Sequence, residues 1–241
     1  MIARLERLPA EISREPLIGC RIEPLWRCYA EFPALFSLYQ TEDGLLARFG
    51  EQLLIQGSVD AEELAQFSDW CGARQIEGLT SSLGALPGWE KTVHTMLTCR
   101  EAAIGSAPPR IDAAPDLRRV YEILCASDER FAAQSSLLEW MSDLRRRTRL
   151  GGGRVWMLDH AAVAAVTGTG CGLARIALVA CDPARRGEGL ASALVCALTS
   201  ALSREGLIAI TDAGQPALDR WYARLGFAPV DRLTVLRRAT V

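Results

Sequence analysis

Hydrophobic residues in the second half of the chain alternate between strand-like runs and helix-like spacing. Apolar residues dominate positions 173–181, a run of strand length, and recur at helical spacing over 191–202. The pattern predicts further helices over 116–126, 128–148 and 216–225, and strands over 154–158, 161–167 and 207–211, with one or two more over 227–238. Strands that alternate with helices in this way are typical of an α/β fold with a mixed sheet.

The first half predicts a smaller α/β domain. Strands are expected over 34–40, 45–49, 52–56, 75–79 and 93–99, with a short helix over 4–8 and a helical turn over 81–86. Gly44 ends a hairpin turn where it can take a positive φ. Asp60 and Glu63 form a capping box that starts a helix, and Gly72 ends it. The core-facing side of that helix is predicted to carry Leu64, Phe67, Trp70 and Cys71.

A proline-rich stretch over 105–115 separates these regions. Its prolines disfavour both a helix and a central strand. We therefore predict a boundary near residue 108, with one domain over 1–108 and another over 109–241.

Composition narrows the function classes. Hydrophobic residues make up 49% of the chain, and the net charge of −2 gives no general attraction for nucleic acid. The eight cysteines form no Cys-x-x-Cys pair, so we expect reduced thiols and no metal site. Because the N-terminus lacks an apolar signal core and no run is long enough to span a bilayer, we expect a cytoplasmic protein without membrane contacts.

A glycine-rich stretch, Arg186-Gly187-Glu188-Gly189-Leu190-Ala191, joins the 173–181 strand to the following helix. Such a turn leaves backbone N–H groups unpaired at the positive end of the helix, which suits a phosphate or diphosphate. A plain structural turn is the alternative, since short glycine patterns are weak evidence. A second glycine pattern at 168–172 lies between two strands and predicts a hairpin turn. The arginine run at 145–149 is interpreted as a helix end, with an anion site as the alternative.

Two motifs together resemble the GNAT acetyltransferase superfamily over residues 116–238. The loop pattern Arg/Gln-x-x-Gly-x-Gly/Ala is matched by Arg186, Gly189 and Ala191. The later pattern Asn-x-x-Ala-x-x-Leu-Tyr-x-x-x-Gly-Phe is matched by Tyr222, Gly226 and Phe227, with Gln215 in the Asn place. The resemblance implies the GNAT acyl-CoA N-acyltransferase fold in the C-terminal half. It also raises the hypothesis that the N-terminal half is a degenerate GNAT-like unit that walls the acceptor pocket.

The resemblance further implies transfer of acetyl from acetyl-CoA, or of another acyl group, to an amine by direct attack. Tyr222 would be the general acid that protonates the leaving thiolate. The implied cofactor-binding residues are Val179, Ala180, Cys181, Arg186, Gly187, Glu188, Gly189, Leu190, Ala191, Ser192 and Gln215.

The sequence is compatible with several alternatives for the chemistry, the acceptor and the oligomeric state. An acyl-cysteine role for Cys181 is a minor alternative. No motif identifies a general base. His94, His160 and Asp159 are candidates, and none of them belongs to a recognisable motif. The acceptor is a small-molecule amine or a peptide, and the protein is a monomer or homodimer. The alternative function is a catalytically inactive CoA-binding sensor or interaction protein.

Overall fold

A computed structural model of the chain describes residues 2–102, 111–134 and 136–239. The first half contains β1 (Ala3–Leu5), α1 (Pro16–Tyr29), β2 (Phe36–Gln40), β3 (Gly44–Phe49), β4 (Gln52–Gly57), α2 (Ala61–Cys71), β5 (Gln75–Leu79) and β6 (Trp89–Cys99). The second half contains β7 (Ile111–Asp112), α3 (Leu117–Ser127), α4 (Glu129–Gln134), α5 (Leu137–Leu150), β8 (Arg154–Leu158), β9 (Ala162–Gly170), β10 (Leu173–Cys181), α6 (Leu190–Arg204), β11 (Ile208–Ala213), α7 (Pro216–Arg224) and β12 (Ala228–Arg238).

The strands form one mixed sheet in the order β1-β2-β3-β4-β5-β12-β6-β11-β10-β9-β8-β7. This order has an internal symmetry. Read inward from one edge, the strands are β1 to β5 and then β12; read inward from the other edge, they are β7 to β11 and then β6. Two neighbouring pairs are parallel, β4 with β5 and β10 with β11, and each is connected through a helix, α2 or α6. The predicted α/β fold with a mixed sheet is confirmed.

The two central strands are exchanged between the halves. β12, from the end of the chain, lies between β5 and β6, with Leu233 opposite both Leu79 and His94. β6, from the first half, lies between β12 and β11. The halves therefore share a continuous sheet. The predicted boundary near 108 lies outside the described residues, and β7 falls within the stretch predicted as a linker.

Side chains along each strand point alternately to the two faces of the sheet, and helices pack on both faces. In β9, Val163 and Ala165 pack in a cluster with α3 and α5, whereas Ala162 and Ala164 pack in a cluster with α6. In β12, Leu233 packs with α1 and Leu236 packs with α2. One face thus carries α1, α3 and α5, and the other carries α2, α6 and α7.

The arginine run at the end of α5 packs against the first half of the chain. The Arg146 guanidinium lies 4.4 Å from the centre of the Phe32 ring, and its Nε donates a hydrogen bond to the Cys28 carbonyl. Arg147 Nε donates to the Asp143 carboxylate, 2.8 Å away, and Tyr29 donates its hydroxyl to the same carboxylate. These contacts fix α5 against α1, which favours the helix-end interpretation over an anion site.

Local predictions fail where tertiary contacts outweigh short-range pattern. The helix expected over 4–8 is wrong, because Ala3–Leu5 pairs with β2 as a strand. Helix α1 was missed, since Pro24 lies inside it, although Pro16 at its start is a favourable position. No helix forms over 81–86, and the helix expected over 128–148 is divided into α4 and α5.

Two first-half details also differ from expectation. Trp70 is 70% exposed instead of core-facing. Gly44 does end the hairpin turn, but its φ is not positive. A side chain is excluded there because a Cβ would lie 2.6 Å from the Gln56 carbonyl oxygen. The capping of α2 is confirmed, since Asp60 accepts hydrogen bonds from the Glu62 and Glu63 amides, and Gly72 ends the helix at φ +67°.

Candidate active site

The parallel strands β10 and β11 separate part of the way along their length. They pair only over Leu173–Arg175 and residues 208–210, although β10 continues to Cys181 and β11 to Ala213. Beyond this point, the pairing of β10 with β9 shifts register between Ala177 and Ala180, and Leu178 has φ +52°. A positive φ at a leucine is strained, so the surrounding structure must impose this bulge. The separated ends leave a gap within the sheet.

A cleft of about 520 Å³ occupies this gap. Its walls come from β10, β11, the loop before α6, the first turn of α6, and α7. The lining residues are Arg175, Ile176, Ala177, Leu178, Val179, Ala180, Cys181, Arg186, Ala191, Thr211, Asp212, Leu218, Trp221 and Tyr222. A cleft of this size is large enough to take a cofactor-sized ligand.

The loop between β10 and α6 opens the amino end of the helix to the cleft. Asp182 holds the base of the loop, because it accepts a hydrogen bond from the Ala184 amide and pairs with Arg119 at 2.6 Å. Gly187 and Gly189 have φ of +89° and +77°, which favour glycine, and a Cβ at either position would meet no atom within 4 Å. The backbone requires these glycines, and the space beside them is open.

The amides of residues 187–191 donate no hydrogen bond to any described residue. Gly189 caps α6 without a side chain, so the first amides of this 15-residue helix stay available. Arg186 lines the cleft next to them, and Glu188 is neutralised by Arg185, with their closest atoms 2.5 Å apart. Free amides, a helix dipole and a cation together favour the binding of an anion such as a phosphate group.

Tyr222 lies at the inner side of the cleft. Its side chain is buried, and its hydroxyl accepts a hydrogen bond from Thr211 Oγ1 at 3.4 Å. Phe227 packs edge-on against its ring, with centroids 5.1 Å apart, and Trp221 packs on it at 4.7 Å. Burial raises the pKa of Tyr222, so its hydroxyl holds its proton at neutral pH.

The predicted cofactor residues differ in where they lie relative to the cleft. Val179, Ala180, Cys181, Arg186 and Ala191 line the cleft together with Tyr222, whereas Gly187, Glu188 and Gly189 form the exposed loop beside it. Leu190 is buried in the core beneath α6, and Ser192 accepts a hydrogen bond from Trp221 Nε1 at 3.1 Å. Gln215 is exposed at the start of α7 and does not line the cleft.

Of the other candidates from the sequence, Cys181 lies in the cleft wall, whereas Asp159 and His160 do not. Burial raises the pKa of the Cys181 thiol, which reduces its nucleophilicity and disfavours an acyl-cysteine intermediate. Asp159 and His160 both have positive φ in the exposed turn between β8 and β9, away from the cleft lining. They form the turn between β8 and β9 and do not line the cleft.

A buried ionic network adjoins the cleft, and sequence analysis missed it. Arg21 of α1 pairs with Glu77 of β5 at 2.7 Å and with Asp212 of β11 at 2.6 Å. Asp212 also pairs with Arg175 at 3.0 Å and lies 3.3 Å from His94 Nδ1. Burial acts to raise the pKa of Asp212, but Arg21 and Arg175 outweigh it and hold that pKa well below its usual range. The only sequence signal was an arginine among apolar residues of α1.

The network faces a second cavity, of about 350 Å³, on the α1 side of the sheet. Thr211 and Asp212 are consecutive in β11 and point to opposite faces, toward Tyr222 and Arg21 respectively. Both cavities are lined by Arg175, Ala177 and Leu178, so they meet at the β10 bulge. The first half supplies part of the second cavity's wall through Cys20, Arg21, Pro24, Leu25, Phe49, Gln52, Leu54 and Glu77.

Within the described ranges, no cluster of three or more His, Cys, Asp or Glu side chains is arranged to hold a metal ion. In the same part of the chain, no helix combines the length and apolar character needed to cross a bilayer.

Comparison with known proteins agrees with this geometry. A family model described as an acetyltransferase (GNAT) domain matches residues 150–229, which include β10, α6 and α7. No curated protein sequence matches the chain.

Solved structures match over nearly the whole chain. A GCN5-related N-acetyltransferase from Kribbella flavida aligns with a TM-score of 0.66 at 14% identity, covering 95% of this chain and 96% of the other. One from Sphaerobacter thermophilus aligns with a TM-score of 0.56 at 18% identity, covering 100% and 97%. A tandem GNAT protein from the clavulanic acid biosynthesis pathway aligns with a TM-score of 0.52 at 14% identity, covering 100% and 99%. At these identities the matches show the fold, and that fold extends over both halves.

Proposed function

We propose that this chain, whose second half contains a GNAT acetyltransferase domain, is an acyl-CoA-dependent N-acyltransferase that moves acetyl from acetyl-CoA to an amine. The observation that carries the proposal is the opening between β10 and β11, with a glycine loop and uncapped helix at one end and Tyr222 inside. In this proposal, the opening would hold the diphosphate at its loop end and the pantetheine chain along β10.

The amides of residues 187–191 would hold the diphosphate of CoA, aided by Arg186. The pantetheine amides would pair with backbone groups of β10 near Val179 and Cys181, where β11 has moved away. This contact uses the main chain, so the side chains at these positions need only be small enough to leave the channel open. The thioester would then reach the region where the two cavities meet.

Acyl transfer would proceed by attack of the neutral amine nitrogen on the thioester carbonyl carbon. The C–N bond forms and the C–S bond breaks, and the sulfur takes the proton of the Tyr222 hydroxyl as it leaves. The surplus proton of the amine passes to water, and Tyr222 regains its own proton from solvent. The place of Tyr222 in the wall of the cleft supports this role, and its hydroxyl is protonated at neutral pH, as a general acid must be when the thiolate departs.

Isothermal titration calorimetry with acetyl-CoA, alongside acetyl-pantetheine as the ligand without the diphosphate, tests the binding step. We expect acetyl-CoA to bind at one site and acetyl-pantetheine to bind at least about 100-fold more weakly, because charge-assisted hydrogen bonds to phosphate are lost. Equal affinities for the two ligands would show that the loop is not part of the binding site.

Release of free CoA across an amine library tests turnover. Binding without release would instead favour the CoA-binding sensor.

A further inference from the structure

We propose that the cavity between the two halves binds the acceptor, and that this acceptor is a free α-amino acid with an apolar side chain. The inference rests on the proposed function and adds the class of acceptor. It depends on the position of the cavity, the hydrogen-bonding capacity of its wall, and the apolar surface opposite that wall.

The position of the cavity places an acceptor next to the thioester. Arg175, Ala177 and Leu178 border both the cofactor cleft and this cavity. The bulge at Leu178 is therefore a point where a molecule in one space can reach a molecule in the other. Because the cavity lies on the α1 face, an acceptor would approach from the side opposite α6 and the diphosphate loop.

The polar wall offers donors rather than acceptors. The Nε atoms of Arg21 and Arg175 are buried and have no hydrogen-bond partner among the described residues. Arg21 as a whole is only 8% exposed. Buried polar groups in native proteins are almost always paired, and both of these arginines line the cavity, so their unpaired donors favour an oxygen-bearing ligand there.

The acidic side chains of the wall have their acceptor capacity engaged. Glu77 accepts hydrogen bonds from Arg21, Gln52 and Gln75 at 2.7, 2.6 and 2.5 Å. Asp143 accepts from Arg147 Nε and from the Tyr29 hydroxyl. A cationic group on the ligand would have to share these carboxylates with their present partners, whereas a carboxylate would accept from the arginine donors that are free. Guanidinium groups also match the geometry of a carboxylate.

The rest of the wall is apolar. Phe131, Trp140 and Leu144 line it on the second-half side, and Leu25, Phe49 and Leu54 line it on the first-half side. A volume of about 350 Å³ lies at the small end of ligand pockets and suits a single amino acid. With its carboxylate at Arg21 and Arg175 and its side chain among the apolar residues, the α-amino group of the ligand falls beside the bulge.

The reaction would convert the amino acid and acetyl-CoA into the N-acetyl amino acid and CoA. The ammonium form loses a proton to water before attack, and the C–N and C–S exchange is that of the proposed function. The carboxylate is unchanged, so its role is recognition alone.

The test compares kcat/KM for L-leucine and L-phenylalanine with isopentylamine and phenethylamine, which lack only the carboxylate. We expect each amino acid to be favoured at least about tenfold, since its carboxylate gains charge-assisted hydrogen bonds from the two arginines. In Arg175→Gln the preference should fall toward unity. Arg154→Gln, which removes an arginine paired with Glu205 away from both cavities, should retain it.

Thermal stability of each variant and its calorimetric affinity for acetyl-CoA show whether Arg175→Gln is folded and binds cofactor. If Arg175→Gln does not fold, the variant experiment is replaced by a measurement on the native protein. In that measurement, the melting temperature is compared with each amino acid and each amine added in the presence of CoA. Amino acids should then raise the melting temperature more than the matched amines. Equal use or equal stabilisation of the two ligand classes overturns the inference and leaves the proposed function standing. Failure of the native protein to bind acetyl-CoA overturns both.

Discussion

The two halves of this chain build the same strand order, and they differ in whether their parallel strands separate. In the first half, β4 and β5 pair over Gln52 to Ile55 and residues 75–78, which is most of the length of β5. In the second half, β10 pairs with β11 over three residues of its nine. The first half thus offers no gap for an extended ligand where the second half has its cleft.

The helices that follow these strands differ in the same sense. Asp60 caps α2 and occupies the Glu62 and Glu63 amides with its own carboxylate. Gly189 begins α6 and leaves the amides free. A carboxylate at a helix start satisfies the donors and repels phosphate, whereas a glycine there leaves both the donors and the space.

The third difference lies after the second parallel strand. In the second half α7 follows β11 and carries Tyr222, while residues 80–88 after β5 contain no helix. The two halves therefore share their topology and differ in three local features: the separation of the parallel strands, the cap of the following helix, and the helix after the second parallel strand. The first half contributes instead through Arg21 and Glu77, which face the cavity between the halves.

The largest expected effect concerns Tyr222, which has no counterpart in the first half. Tyr222→Phe should lower kcat about 100- to 10,000-fold, the usual range for loss of a general acid, with acetyl-CoA affinity nearly unchanged. Single-turnover release of CoA and calorimetry measure the two quantities. Tyr39→Phe, a buried tyrosine of β2, is the matched control and should leave turnover intact. Unchanged turnover in Tyr222→Phe would remove it from the mechanism.

The ion pairs of Asp212, one of which joins the two halves, should give the next largest effect. Asp212→Asn leaves Arg21 and Arg175 without their shared carboxylate and should lower the free energy of unfolding by about 3–5 kcal/mol at pH 7. Glu205→Gln, which breaks an exposed pair with Arg154, should cost less than about 1 kcal/mol. Urea unfolding measures both.

The effect of Asp212 depends on pH with a defined sign. Its pKa is lowered in the folded state, so its contribution is present above the ordinary carboxylate pKa of about 4 and is lost as pH falls through the folded value. The difference in unfolding free energy between the native protein and Asp212→Asn should therefore shrink below about pH 4. A difference that stays constant down to acid unfolding would argue against a charged Asp212.

Sequence patterns predicted the parts of the site that are contiguous in the chain. The glycine loop, the helix after it and the strand before it all lie where apolar spacing and glycine placement indicated. The sequence did not predict the network of Arg21, Glu77 and Asp212. Arg21 is 56 residues from Glu77 and 191 residues from Asp212 along the chain, and the three meet only in the folded sheet. The exchange of β6 and β12 escaped for the same reason, since spacing defines a strand and not its neighbours.

A matched pair of glycines tests whether the loop binds through its backbone. Gly189 and Gly72 have similar φ, +77° and +67°, and a Cβ at either would meet no atom within 4 Å. Alanine at each should cost about 1–2 kcal/mol of local backbone strain. Only Gly189→Ala should also weaken acetyl-CoA binding, by at least about tenfold, because its Cβ enters the space assigned to the diphosphate. Equal acetyl-CoA affinities in both variants would contradict the site.

The smallest effect is expected at the closed helix start of the first half. Asp60→Ala removes the side chain that accepts from the Glu62 and Glu63 amides, at a cost of about 1 kcal/mol in unfolding free energy. It frees two donors and removes a negative charge, yet β4 and β5 stay paired beside them. Acetyl-CoA should therefore still bind at one site per chain. Binding of a second acetyl-CoA per chain in calorimetry would show that the Asp60 cap alone prevents binding in the first half. Strand separation would then matter less for binding than the geometry of β10 and β11 indicates.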